Sequence, residues 1–395
     1  VRFWVLFLLG FSPLLRAADT IAVLPLFNAD ESRASNLNWI GESVAETIHD
    51  TLSAAGMLVL AREDREEVFR RLSIRPEVVI TRATVIRIGE NLDAGRIIYG
   101  DYKVEGAELG ATSLKSNIRL TIRSIDLKKF REGQALEQSG PLENLTQMQT
   151  NLAWMALHDL DPDRTPPHDQ FLRDHPPVRI DANESYIRGL MSGNPEQRMK
   201  LFTQAAKLDD HFSQPNFQLG RMLFVRKDYK TAATWLEKVT KNDSHFEEAS
   251  FLLGICRYQQ GDFDSAAKQF RTVLADLPLN EVYNDLGAAL SRRNDAAAGE
   301  NFRKALEGDD GDPDYWFNLG YFLWKQGKFS EAAEKFRAAL DRSPEDQEAT
   351  AMLGRCIKMD GPRPGDPRNE GRERIKTAFE DSAWRQLQAE LKKKK

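Results

Sequence analysis

Five Leu-Gly pairs recur down the second half of this chain, at Leu219-Gly220, Leu253-Gly254, Leu286-Gly287, Leu319-Gly320 and Leu353-Gly354. Their glycines stand 34, 33, 33 and 34 residues apart. A period of that length, with helical spacing inside each unit, dictates a solenoid of stacked helix pairs, because no single pair can bury its own apolar face. Such a scaffold is a binding surface, and the period alone does not name what it binds.

The residues around the pairs carry a resemblance. Between Pro313 and Asp346 stand Trp316, Leu319, Gly320, Leu323, Gly327, Phe329, Ala332, Phe336, Ala339 and Pro344, and between Glu247 and Asn280 stand Leu253, Gly254, Gly261, Phe263, Ala266, Phe270, Val273 and Pro278. Both units resemble the tetratricopeptide repeat. Ser213 to Phe246 is a third, with Ser244 in place of the proline, and Glu281 to Asp312 is shortened, with the missing residue expected in its inter-helix turn. A worn unit over 181–212 keeps Tyr186, Phe202 and Ala205, and a lone helix from Gln347 to Met359 follows the last full unit. The resemblance implies a right-handed α-solenoid over 181–359.

In that family the first helix of each unit lines a concave groove. The matching positions include Phe217, Arg221, Phe224, Phe251, Ile255, Tyr258, Phe317, Tyr321 and Trp324. Exposed aromatics with an arginine are the residue types that dominate peptide recognition; the competing reading makes several of them core residues. Some family members hold a terminal carboxylate with lysines, arginines and asparagines, but Phe217, Leu252, Glu281 and Asp285 occupy that region here. Beyond the repeats, in 360–395, Ile375, Phe379, Ala383, Trp384, Leu387 and Leu391 fall at helical spacing. That stripe predicts a helix capping the open end of the stack, with a docking helix for another protein as the alternative. Lys392 to Lys395 reads as a solvated tail.

The front half follows another pattern. Thr20 to Phe27 is a continuous apolar run of strand length in which Pro25 ends the strand or marks a bulge. Ile40, Val44, Ile48 and Leu52 form one helical stripe after Asn38, and Met57 to Leu60 reads as a short strand. Helices over Arg62–Leu72 and Ala83–Leu92 precede a hairpin of Arg96–Val104 and Asn117–Leu127. In its second arm Ile118, Leu120 and Ile122 alternate with Arg119, Thr121 and Arg123, so one face is wet. An edge strand over Gln134–Gly140 and a helix over Leu142–His158 complete a small mixed α/β domain, 19–158. IAVLPLFN, WIGESVAETIHDTL, MLVLARED, IIYGDYKV and IRLTIRSIDL resemble the TolB N-terminal-like domain of exported bacterial proteins, which implies a binding or assembly role and brings no active site.

Arg2, the apolar run Phe3–Leu15 and Arg16-Ala17-Ala18 have the order of a secretory signal peptide over 1–18, giving a periplasmic or secreted location. The run is short of the roughly 20 apolar residues of a membrane span. Pro162, Pro166, Pro167, Pro176 and Pro177 make 159–180 a stiff linker, and His168, Asp169, Asp174 and His175 within it read as solvated residues ahead of metal ligands. A formal net charge of -5 offers no general basic field for nucleic acid. Cys256 and Cys356 sit three repeats apart, beyond disulfide reach, and read as buried packing thiols. Asp310, Asp312 and Asp314 alternate like a calcium loop, but Tyr315 stands where that loop needs glycine, so they read as an inter-repeat turn.

Neither a P-loop, a serine elbow nor a zinc-protease helix is present. The expectation is therefore a non-enzymatic adaptor that binds protein or peptide segments, with no cofactor, no metal, no nucleic-acid partner and no integral membrane span. An enzyme accessory or weak hydrolase using the front domain is the alternative, to be recognised by a cleft holding a perturbed acid or base.

Overall fold

The computed structural model describes residues 20–29, 37–74, 80–105, 116–363, 372–379 and 387. The apolar run Phe3–Leu15, the Lys392–Lys395 tail and Ala383, Trp384 and Leu391 of the predicted capping helix lie outside them. The chain divides into two compact units with the boundary after Asp163. Among the described residues no helix is long and apolar enough to cross a membrane.

In the front unit the apolar run splits at Pro25 into β1 (Thr20–Val23) and β2 (Phe27–Asn28), since a proline has no amide hydrogen for the ladder. Then come α1 (Trp39–Ala54), β3 (Leu58–Val59), α2 (Arg62–Arg71), α3 (Arg82–Asn91), β4 (Arg96–Glu105), β5 (Asn117–Asp126), β6 (Arg131–Glu132), β7 (Leu136–Pro141) and α4 (Leu145–Leu160). The sheet runs β3-β1-β4-β5-β6, with β2 further along β4 and β7 further along β5. β1 is parallel to β3 and β4, whereas β4 and β5 are antiparallel from Arg96 opposite Asp126 to Glu105 opposite Asn117. Ile118, Leu120 and Ile122 are buried on β5. α1 lies so close to the sheet that a Cβ on Gly41 would meet the Leu26 carbonyl oxygen at 1.9 Å.

The proline-rich stretch is less solvated than its composition suggests. It holds the short helix α5 (His168–Asp174), whose Phe171 is buried under the ring of His175 at 4.2 Å. One large apolar side chain is enough to order a segment that charge and proline mark as a linker.

The second unit stacks five helix pairs and a lone helix: α6 (Ile180–Met191) with α7 (Pro195–Leu208), α8 (Gln214–Val225) with α9 (Tyr229–Leu236), α10 (Phe246–Gln259) with α11 (Phe263–Asp276), α12 (Asn280–Arg292) with α13 (Ala298–Gly308), α14 (Pro313–Lys325) with α15 (Phe329–Arg342), then α16 (Gln347–Ile357). The repeat glycines are where paired helices touch. A Cβ would come within 2.5 Å of Leu236 at Gly220, 2.6 Å of Phe270 at Gly254 and 2.7 Å of Phe302 at Gly287. At Gly354, whose helix has no paired second helix among the described residues, nothing lies within 4 Å.

Seven residues after each of the first four glycines, Lys227, Gly261, Asn294 and Gly327 take the left-handed conformation that turns the chain into its second helix. Asn294 keeps that register in the shortened unit. The missing residue therefore falls after the turn, in the late start of α13, and the expectation of a shortened turn is corrected.

The predicted capping helix is corrected over its first part only: residues 372–379 are not helical, running irregularly with a bend at Thr377, while Leu387 is helical and the rest of the stripe lies outside the described residues. Ile375, Phe379 and Leu387 pack against the solenoid core.

Candidate functional site

The first helices of the last three pairs, together with α16, hold the segment Arg372–Phe379. Asn318 on α14 grips its main chain at both ends of one residue: Oδ1 accepts the Arg374 N–H at 2.8 Å, and Nδ2 donates to the Arg374 carbonyl at 2.7 Å. Asn284 on α12 donates to the same carbonyl at 2.8 Å, and Asn318 donates to the Asn284 Oδ1 at 2.7 Å. Two residues further along the segment, the Lys376 N–H donates to Asp285 Oδ1 at 2.8 Å. Asn284, Asp285 and Asn318 are all fully buried, so although they also bond one another, each would lose part of its compensation for leaving water if the segment departed without replacement.

Charge holds the side chains. The Arg374 guanidinium lies 3.6 Å over the Phe317 ring and donates to Asp314 at 3.1 Å and to Asp346 at 2.6 and 2.9 Å, with Glu348 at 3.4 Å. The Lys376 ammonium is 2.7 Å from both Asp312 and Asp314. Burial disfavours both cations, yet these carboxylates outweigh it and raise both groups above their ordinary pKa values. The hydrogen bond from Arg374 is the main cause that holds the Asp346 carboxyl below its usual range. Asp285 goes the other way: burial pushes its carboxyl well above the carboxylate range, against hydrogen bonds from the Lys376 amide and Asn284.

Just before Arg374, Glu373 turns inward. Ser291 donates to its Oε1 at 2.7 Å, and Lys325 lies 3.4 Å away, itself fixed by a 2.6 Å bond to the Ser291 carbonyl. At the far end Phe379 meets the Phe251 ring at 4.9 Å.

Of the residues predicted to line the groove, Phe251 and Phe317 lie directly under the segment. Phe217, Ile255, Tyr258, Tyr321 and Trp324 are buried in the core, Phe224 is half-buried against Tyr229 at 5.7 Å, and Arg221 is exposed. The aromatics are thus not exposed as expected: some pack on neighbouring helices, while burial and then the charge of the segment's Glu373 raise the Tyr258 and Tyr321 phenols. Phe217 stacks on His245 at 4.3 Å and Tyr321 on Trp324 at 5.5 Å.

The residues that grip the segment went unread as ligands, although a signal was present. Asn318 and Asp285 each stand two residues before their repeat glycine; Asp312 and Asp346 stand eight before theirs, Asp314 and Glu348 six. The aspartates at 310–314 are an inter-repeat turn, as read: Asp312 caps α14 by accepting from Asp314 N–H at 2.9 Å.

The front unit carries a second polar cluster. Glu42 is buried between Arg62 and Arg65, and these charges overcome the effect of burial to lower its pKa. Neighbouring Glu46 is pushed up to about 7, first by burial and then by Asp50. The pocket it shares with His49, Arg62 and Arg65 has about 10 Å³ of room, space for one water at most. The criterion of a perturbed acid is met there, and that of a cleft sized for a substrate is not. Among the described residues no group of His, Cys, Asp and Glu is placed to hold a metal ion. Cys256 and Cys356 are free and buried, and burial raises the Cys256 thiol to about 12.

Part of the second unit is similar to known proteins. Tetratricopeptide-repeat family models match 223–290 and, in two overlapping stretches, 284–347 and 317–357. The solved structure of YrrB, described as a TPR protein with an unusual peptide-binding site, is 21% identical with a TM-score of 0.33, covering 40% of this chain and 92% of its own. That of MamA is 18% identical with a TM-score of 0.37, covering 40% and 94%. MamA from Desulfovibrio magneticus RS-1 is 22% identical with a TM-score of 0.37, covering 43% and 99%. No curated protein matches the sequence. Family-model match, repeat glycines and helix pairs agree that the stack over 223–357 is built of tetratricopeptide repeats.

Proposed function

We propose that this protein is a non-enzymatic adaptor whose solenoid groove takes extended protein segments. The observation that carries the reading is the segment Arg372–Phe379, held through its main chain by Asn284, Asp285 and Asn318. Main-chain bonds of this kind fit any extended peptide, while flanking charges select among side chains. The front α/β unit serves in this reading as a binding or assembly module of the TolB-like kind, and the apolar run Phe3–Leu15 supports export to a bacterial cell envelope. Fractionation of cells producing the protein, with sequencing of its mature N-terminus, tests export; an intact run in a cytosolic fraction would defeat it.

Tyr258→Ala with Tyr321→Ala is a poor test of the groove, since both rings are buried and their loss would leave cavities. Asn284→Ala with Asn318→Ala removes the grip on the main chain and no large apolar volume. A displayed library of random peptides is to be selected on the full chain and on this double variant. Sequences enriched on the first and lost on the second are expected. Identical profiles on both would sink the groove assignment.

A further inference from the structure

Resting on that reading, we infer that the groove reads one basic residue per repeat at alternate positions of an extended partner, and that Arg374-Ile375-Lys376 is a resident stand-in for that partner. The inference comes from how the contacts repeat. Arg374 gives its amide to the residue two before Gly320, Asn318, and its side chain to the acids eight and six before Gly354, Asp346 and Glu348. Lys376 gives its amide to the residue two before Gly287, Asp285, and its side chain to the acids eight and six before Gly320, Asp312 and Asp314. Apart from Asp314, which also accepts from Arg374, and Glu348, which Arg372 one alternate position earlier shares with Arg374, the two residues are thus held by equivalent positions moved along by one repeat.

A step of one repeat in the solenoid therefore equals a step of two residues in the ligand. The lengths agree, since two extended residues span roughly 7 Å and packed helices stand about 8 to 10 Å apart. The side chains at the intervening positions turn into the groove floor, where Ile375 packs on the core and Glu373 meets Ser291 and Lys325. The ladder then stops. One repeat earlier the amide acceptor is replaced by Leu252 and the first acid by Leu279, and Phe379 rests on Phe251 instead. The partner class is an extended protein segment with arginine or lysine at two positions separated by one apolar residue, an acidic residue before the first, and an aromatic residue further on.

A partner must displace the resident segment, which its tether keeps at an effective concentration on the order of mM. The test uses the full chain, wild type and Arg374→Ala/Lys376→Ala. The probes are fluorescein-labelled peptides of the sequence 371–380 and the same peptide with the residues of Ile375 and Lys376 exchanged, which keeps composition and charge but breaks the alternation. The double variant is expected to bind the first peptide at least tenfold more tightly than wild type does, and at least tenfold more tightly than it binds the exchanged one. Equal affinity for both peptides would overturn the alternation while leaving a general peptide groove standing. Equal affinity of wild type and variant for the first peptide would overturn the stand-in. Binding of neither peptide by a variant that still unfolds cooperatively would defeat the groove reading itself. Should the double variant fail to fold, Lys376→Ala alone carries the same comparisons.

Discussion

Asn318 holds both the amide and the carbonyl of one residue of the resident segment with one short side chain. Replacing it by alanine leaves the Arg374 amide without an acceptor in a buried site, a cost of about 1–3 kcal/mol. In Asn318→Ala, amide hydrogen exchange at residues 372–376 should speed by about tenfold or more, and unchanged exchange would show that the asparagine does not hold the segment. The repeat glycines offer a contrast at the same scale. Gly254→Ala drives a Cβ into Phe270 at 2.6 Å and should cost about 1–3 kcal/mol as overpacking. Gly354→Ala meets nothing and should stabilise by about 0.5–1 kcal/mol, the helix preference of alanine over glycine. Thermal unfolding of the two variants checks both signs. The glycines were legible because their spacing is a property of the chain alone. The groove aromatics misled because groove positions and helix contacts both favour large rings, and only packing says which way a ring turns. Phe317 does both, closing on Phe336 at 5.4 Å while carrying Arg374 on its face.

At the scale of elements, the extended segment is the main departure from what periodicity suggests. Ile375 and Phe379 are four apart, as on a helix, and nothing in their own stretch argues against one. What wins is the set of buried amides and carboxylates on other elements, which satisfy an extended backbone and would leave a helical one unmatched. Front-unit elements were legible to within a few residues because each has its own alternation or stripe, as on β5 and α1. The segment's docking should respond to pH through Asp346, whose carboxyl is lowered by the Arg374 hydrogen bond, so its contribution is present above the ordinary carboxylate pKa of about 3.9 and is lost as pH falls through the lowered value. A fluorine label on Phe379 reports release by the change in its environment beside Phe251. Wild type should release the segment on the acid side, and Asp346→Asn should dock more weakly at neutral pH and lose that acid-side step; an unchanged profile in the variant would contradict the assignment to Asp346.

For the whole molecule, a stack held by nearest-neighbour contacts opens most readily where neighbours are fewest. Cys356 lies on the lone last helix and Cys256 inside the third pair, both buried. A thiol reagent applied to the native protein should modify Cys356 about tenfold or more faster than Cys256, and equal rates would mean that the solenoid opens as one unit. The equivalence of one repeat to two ligand residues has a further consequence, which concerns slippage. A bound segment displaced by one residue would point every side chain the wrong way, so the smallest permitted error is a whole rung. Partners with a longer run of alternating basic residues would then occupy a few discrete frames of nearly equal energy, hopping between them without leaving. A partner with a single pair of basic residues admits one frame and locks in place, whereas the resident segment, with Arg372, Arg374 and Lys376 at alternate positions, has a second frame open to it.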